Sequence, residues 1–110
     1  MVCEEFMMVD IEELKPLIVE RLKPLNPDKI ILFGSYAYGT PTKDSDIDLF
    51  IENNINIDDL DAIAMVKLRD LMKKYKIGFD ILTASANEIS KREDPFYKID
   101  ILQRGIRLYG

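Results

Sequence analysis

Histidine is absent from this 110-residue sequence, and cysteine occurs once, as Cys3. The first absence removes imidazole general bases, histidine zinc sites and Ser–His triads together. A single thiol can form neither an internal disulfide nor a thiolate metal cluster. Any catalysis therefore falls to carboxylates and to hard cations that prefer oxygen. Positive charge is also short: 15 Lys and Arg stand against 20 Asp and Glu, a net −5. An acidic chain repels polyanions, so nucleic acid is not expected as a partner unless a local basic patch escapes the average. No apolar run approaches the ~20 residues of a membrane span. The first ten residues lack the basic start and long apolar stretch of a secretory signal. The expectation is a soluble, cytoplasmic protein with no membrane partner.

With 47% hydrophobic and 32% charged residues, the composition is that of an ordinary globular chain, and its length suits one domain, 1–110, with a core of its own. Residues 1–9 read as a flexible arm. Asp10 and Glu13 then have the spacing of a capping box, and Ile11, Leu14, Leu17, Ile18, Leu22 and Leu25 recur at helical intervals. Pro16 predicts a bend in that helix or a later start. The β-rich run 29–33, bounded by Pro27 and Gly34, predicts a buried strand. Residues 35–38 suit one helical turn, 39–45 a polar loop, and 46–52 a second strand. Asn56 with Asp59 can cap a helix to about Tyr75, with Leu60, Ile63, Ala64, Leu68, Leu71, Met72 and Tyr75 on its apolar side. Gly78 permits a turn into a third strand, 79–83. Ser85 with Glu88 suggests a short helix to Lys91. Asp94-Pro95 opens a last helix that Gly105 closes, and the tail 106–109 allows another strand. The order is αβ(α)βαβαα, with the tail as a candidate further strand.

The chemistry concentrates between Gly34 and Phe50. In a strand alternate residues share a face, so Asp46 and Asp48 point one way while Ile47, Leu49 and Ile51 point the other. Two carboxylates ~7 Å apart repel unless solvent or a divalent cation neutralises them. Mg²⁺ suits them, since it accepts carboxylate and phosphate oxygens and keeps waters. Asp80 interrupts the third, otherwise apolar strand, where a buried or half-buried carboxylate would be costly without a partner. If that strand lies beside the second, Asp80 completes a triad able to hold two metal ions. Gly34 and Ser35 follow the first strand, where a missing side chain, exposed N–H groups and a hydroxyl can meet a phosphate.

The pattern Gly34-Ser35, ten residues, Asp46-x-Asp48, with Asp80 later, resembles the DNA polymerase beta-like nucleotidyltransferase superfamily, and within it the minimal nucleotidyltransferase (MNT) family. The resemblance implies an α/β (α+β) fold with a mixed sheet and flanking helices, and Mg²⁺-dependent transfer of a nucleoside monophosphate from a nucleoside triphosphate, ATP foremost, to a hydroxyl. Gly34 and Ser35 would contact the triphosphate, and Asp46, Asp48 and Asp80 would serve as metal ligands and catalytic carboxylates. Many members carry Gly-Ser-x-Ala-Arg-Gly after the first strand, whereas Tyr38 stands here in place of the arginine. A phosphate-facing cation would then come from Lys43 or a partner chain, unless Tyr38 simply packs on the sheet. Tyr36 has two readings, stacking on a base or packing in the core.

The length leaves little for an acceptor pocket, so the acceptor is expected on another protein. Minimal members resemble antitoxins that silence a HEPN-domain ribonuclease toxin by adding AMP to a tyrosine. The expected function is that of a protein adenylyltransferase antitoxin. The alternatives are an antitoxin that neutralises by binding alone, with a vestigial site, and a small-molecule nucleotidyltransferase completed by a helical subunit.

Overall fold

A computed structural model describes residues 10–42, 44–53, 59–84, 101 and 103–110. The expected arm 1–9 and the two expected helices between Ser85 and Gly105 lie outside the described residues, apart from isolated positions near the end of the second.

The first helix, α1 (Ile11–Leu22), begins directly after Asp10, whose Oδ1 accepts from the Glu12 N–H at 3.0 Å. It runs through Pro16, which is exposed, so the expected late start is corrected. Pro16 is early enough in the helix that only one backbone hydrogen bond is forfeited, on the solvent side. Leu14, Ile18 and Leu22 are fully buried, and Ile11 and Leu17 pack around them. A 3₁₀ turn, Lys23–Leu25, ends on Asn26 in the left-handed conformation, and the chain enters β1 (Lys29–Phe33). One short helical turn, α2 (Ser35–Tyr38), leads to β2 (Ile47–Glu52). The long helix α3 (Leu60–Tyr75) carries the chain to β3 (Phe79–Ala84), and β4 (Ile106–Tyr109) completes the sheet. Asp59 precedes α3 in a left-handed conformation and its side chain makes no capping hydrogen bond; Asn56, with which it was expected to form the cap, is outside the described residues.

The sheet order is β3-β2-β1-β4. β1 pairs antiparallel with both β2 and β4, while β2 and β3 run parallel. Parallel neighbours need a crossover, and α3 provides it. The sheet is mixed for that reason.

One face of the sheet carries Ile30, Leu32, Ile47, Leu49, Ile51 and Phe79, packed under α1 and α3 with Leu60, Ala64, Leu68 and Leu71. Arg21 of α1 also donates to Asp70 of α3, from Nη2 to Oδ2 at 2.8 Å and from Nε to Oδ2 at 3.1 Å, and this pairing holds the Asp70 carboxyl below the usual carboxylate range. The opposite face carries a second, smaller cluster of Ile31, Phe33, Phe50, Ala84 and Ile101. β2 is buried on both faces because it lies inside the sheet, and its Asp48 interrupts that burial. No helix among the described residues is long and apolar enough to cross a membrane.

Candidate active site

The turn after β1 sets the site. Gly34 has φ 77° and ψ −164°, a region that residues with a Cβ essentially avoid. A Cβ on Gly34 would overlap Oδ2 of Asp48. The carboxylate and the bare backbone of the turn thus occupy space that a side chain would fill. From Gly34 the chain makes α2, whose Ala37 and Tyr38 N–H groups donate to the Gly34 carbonyl at 3.0 Å. Gly39 closes the turn in the left-handed conformation with φ 81°. Tyr36 is buried in the main core, which settles it as packing. Ser35 is half-buried at the start of the turn.

Asp48 faces Phe33 of β1 and Asp80 of β3 as register partners. In parallel pairing register partners share a face, so the two carboxylates stand side by side, as the sequence predicted. Asp46 immediately precedes β2, one residue short of the expected strand. The backbone beside it is tied to Gly78, and its carboxylate takes the space a Gly78 side chain would fill. The Ile47 N–H donates to the Gly78 carbonyl at 2.9 Å, and a Cβ on Gly78 would come 2.7 Å from Asp46 Oδ1. The loop before it is pinned by Ser45 Oγ, which accepts from the Thr42 N–H at 2.8 Å.

Burial, then the neighbouring charges of Asp80 and Asp46, raise the Asp48 carboxyl from 3.8 to about 6. Charge of one sign is thus concentrated on a half-buried group with no cation among the causes of its shift. Asp80 itself is exposed, which corrects the expectation that it would be buried or half-buried. Of the residues that share its face of β3, Leu82 is also exposed whereas Ala84 is buried.

Among the described residues, no three acidic, histidine or cysteine side chains converge tightly enough to enclose an ion by themselves. The donor set still fits Mg²⁺. That ion is commonly held by one or two carboxylates, with phosphate oxygens and water completing its shell. Asp48, flanked by Asp46 and Asp80 at a turn stripped of side chain, offers such an incomplete set.

Two residues escaped sequence reasoning. Gly78 was read as a turn former, but the turn is made by Lys76, with φ 53°, and Gly78 makes room for Asp46. Tyr38 does more than pack on the sheet: it lies half-buried, and the Arg104 guanidinium stands 3.7 Å from its ring centroid. Nothing local in the sequence links positions 38 and 104. Lys43 falls outside the described residues.

A glycine turn beside carboxylates on adjoining strands is an arrangement that suits the handling of a phosphate together with a divalent cation. The family model for the nucleotidyltransferase domain matches residues 11–108, and the chain belongs to that family. A Methanocaldococcus jannaschii protein provisionally named a protein adenylyltransferase is 32% identical over 81 residues, covering 74% of this chain and 77% of that protein. Among solved structures, a chain from a substituted MntA–HpeT toxin–antitoxin complex is similar with a TM-score of 0.65 at 18% identity, over 87% of this chain and 73% of that one. A toxin–antitoxin structure with AMP-PNP gives 0.64 at 20% identity, over 87% and 73%. A complex of the tri-AMPylated Shewanella oneidensis HEPN toxin with its MNT antitoxin gives 0.59 at 17% identity, over 90% and 71%. These structural likenesses establish the shared fold.

Proposed function

We propose that this protein transfers AMP from ATP to a hydroxyl of a HEPN-domain toxin, and so acts as the antitoxin of the pair. The observation that carries the reading is Asp48, set against a Gly34 turn that has no room for a side chain, with the charges of Asp80 and Asp46 beside it. The names of the similar proteins support the acceptor: one is provisionally a protein adenylyltransferase, and another is an MNT antitoxin bound to a tri-AMPylated HEPN toxin. ATP as donor is supported by the similar structure that contains AMP-PNP.

In this reading Asp46, Asp48 and Asp80 hold Mg²⁺, two ions in the full site. When bound, Mg²⁺ neutralises the triphosphate and leaving pyrophosphate and increases the acidity of the attacking hydroxyl. The rest falls to the chain. Gly34 lets a phosphate approach the backbone, and the Ser35 hydroxyl donates to it. Asp80, in water beside Asp48, accepts the proton of the attacking hydroxyl. A bond forms between that oxygen and the α-phosphorus, the bond from the α-phosphorus to the bridging oxygen breaks, and pyrophosphate departs. A cytoplasmic location accompanies this reading, since the donor is a nucleoside triphosphate.

The test is to mix the protein with ATP, Mg²⁺ and the product of the neighbouring gene as the candidate acceptor, and to weigh the products. The partner should gain mass in steps of one AMP, and an unmodified partner would refute the transfer. The double substitution Asp46→Ala with Asp48→Ala should lose both modification and neutralisation while still forming the complex. Retained neutralisation would mean that binding alone suffices.

A further inference from the structure

The helix α3 buries one stripe, Leu60, Ala64, Leu68 and Leu71, against the sheet. Each residue of an α-helix is turned about 100° from the one before it, so Ala62, Val66, Arg69 and Lys73 lie on the opposite side. Their spacing of four, three and four is that of the seam by which two helices pair. All four are exposed, and Val66, at 56%, is the more exposed of the two large hydrophobic side chains that stand out of the described surface. Ile63 and Met65, both half-buried, flank the seam at the level of Ala62 and Val66. The centre of this side is therefore apolar.

Its two ends carry opposite charge. Asp59, three residues before Ala62, adopts a left-handed conformation in which its side chain caps nothing. Arg69 stands three residues after Val66. Neither side chain has an ion-pair partner among the described residues, whereas the neighbouring Asp70 is taken by Arg21. The stripe is thus self-complementary. A second copy of α3 laid antiparallel across it, with the two-fold axis at the level of Ala64, sets Ala62 against Val66 of the second copy and Asp59 against its Arg69, each contact occurring twice. A parallel copy would instead oppose like charges, and an acidic partner of another kind would satisfy Arg69 while repelling Asp59.

We infer that this protein forms a two-fold homodimer through antiparallel pairing of α3, with Ala62 and Val66 at its centre and an Asp59–Arg69 ion pair at each end. The seam from Asp59 to Arg69 is ~15 Å long. One helix face of that length is small beside the ~800 Å² per partner of a standard interface, so the dimer is a reversible one, with a dissociation constant on the order of 10–100 µM. Asp48 and Phe50 lie on the face of the sheet that α3 does not cover, so both Gly34–Asp48 sites stay open in the pair.

Sedimentation velocity of the full-length protein alone, from ~1 to ~500 µM, should show a monomer passing into a dimer, and added salt should weaken it. Val66→Lys should weaken the dimer by about tenfold or more, because it brings a cation into the apolar centre beside Arg69. Asp59→Lys and Arg69→Glu should each weaken it about fivefold to thirtyfold. The two together should return it to within about threefold of the unsubstituted protein, since both pairs re-form with their signs exchanged. Lys76 already holds the left-handed conformation that Asp59→Lys requires, φ 53° against 56°, and melting temperatures verify that each variant is folded. A monomer throughout the concentration range, a dimer indifferent to Val66→Lys, or a folded double variant with no recovery would each overturn the inference. So would a chain that is monomeric alone and binds the product of the neighbouring gene through these same residues, which would make the stripe that partner's seat.

Discussion

Replacing Asp48 with asparagine is expected to stabilise the metal-free protein while abolishing transfer. The reason lies in the geometry of β2. Asp48 is half-buried inside the sheet and stands beside Asp80 and Asp46, and burial followed by those charges raises its carboxyl from 3.8 to about 6. A shift of about two units corresponds to ~3 kcal/mol at most. The group is still partly in contact with water, which screens the interaction, so about half of that, ~1–1.5 kcal/mol, is the realistic effect. The sign follows from the proton. The folded state holds it more tightly than the unfolded chain, so this contribution to stability is fully present below 3.8 and is lost as pH rises through about 6. Asparagine keeps the shape without the charge. Urea unfolding of the metal-free proteins should therefore show Asp48→Asn more stable by ~1–1.5 kcal/mol at pH 8, and equal to the unsubstituted protein at pH 3.5. The same gain at both pH values, or none at pH 8, would show that Asp48 is not the electrostatically strained group argued for. The strain has a use: a site stabilised by its own cations would have less to gain from Mg²⁺ and a triphosphate.

Gly34→Ala should cost 1–3 kcal/mol in backbone strain alone and displace the Asp48 carboxylate, so that both melting temperature and nucleotide binding fall; a variant with unchanged ATP affinity would contradict the close approach. Gly78→Ala is expected to behave differently, because its φ is ordinary and the group in its way is the movable end of Asp46. Its stability should change by less than about 1 kcal/mol, with the loss appearing in the transfer rate measured by AMP incorporation. Leu68→Ala, fully buried under the sheet, should lose about 2–5 kcal/mol in denaturant unfolding, and Mg·ATP should still bind at temperatures where the variant is folded.

Much of the fold was legible because its signals are local. Helical spacing marked the buried stripe of Leu14, Ile18 and Leu22, and that of Leu60, Ala64, Leu68 and Leu71. Alternation in β2 separated Ile47, Leu49 and Ile51 from Asp48. Pro16 misled because propensity states the cost of a proline but not how well the helix around it is buried. Asp59 likewise has the chemistry of a cap without the backbone geometry to act as one.

The sequence by itself determined which groups are at hand: with no histidine and one cysteine, the proposed chemistry has carboxylates to draw on, and Asp46 and Asp48 had to lie near each other along the chain. Only the tertiary structure decided what stands beside them. Asp80 joins Asp48 because α3 returns β3 parallel to β2, and it is exposed while Asp48 beside it is half-buried. Gly34 and Gly78 announce missing side chains, but only packing reveals that carboxylates take the space. Arg104 reaches Tyr38 across 66 positions of sequence because β4 pairs with β1. Period and composition act over a few residues, whereas strand order is set by the burial of whole faces.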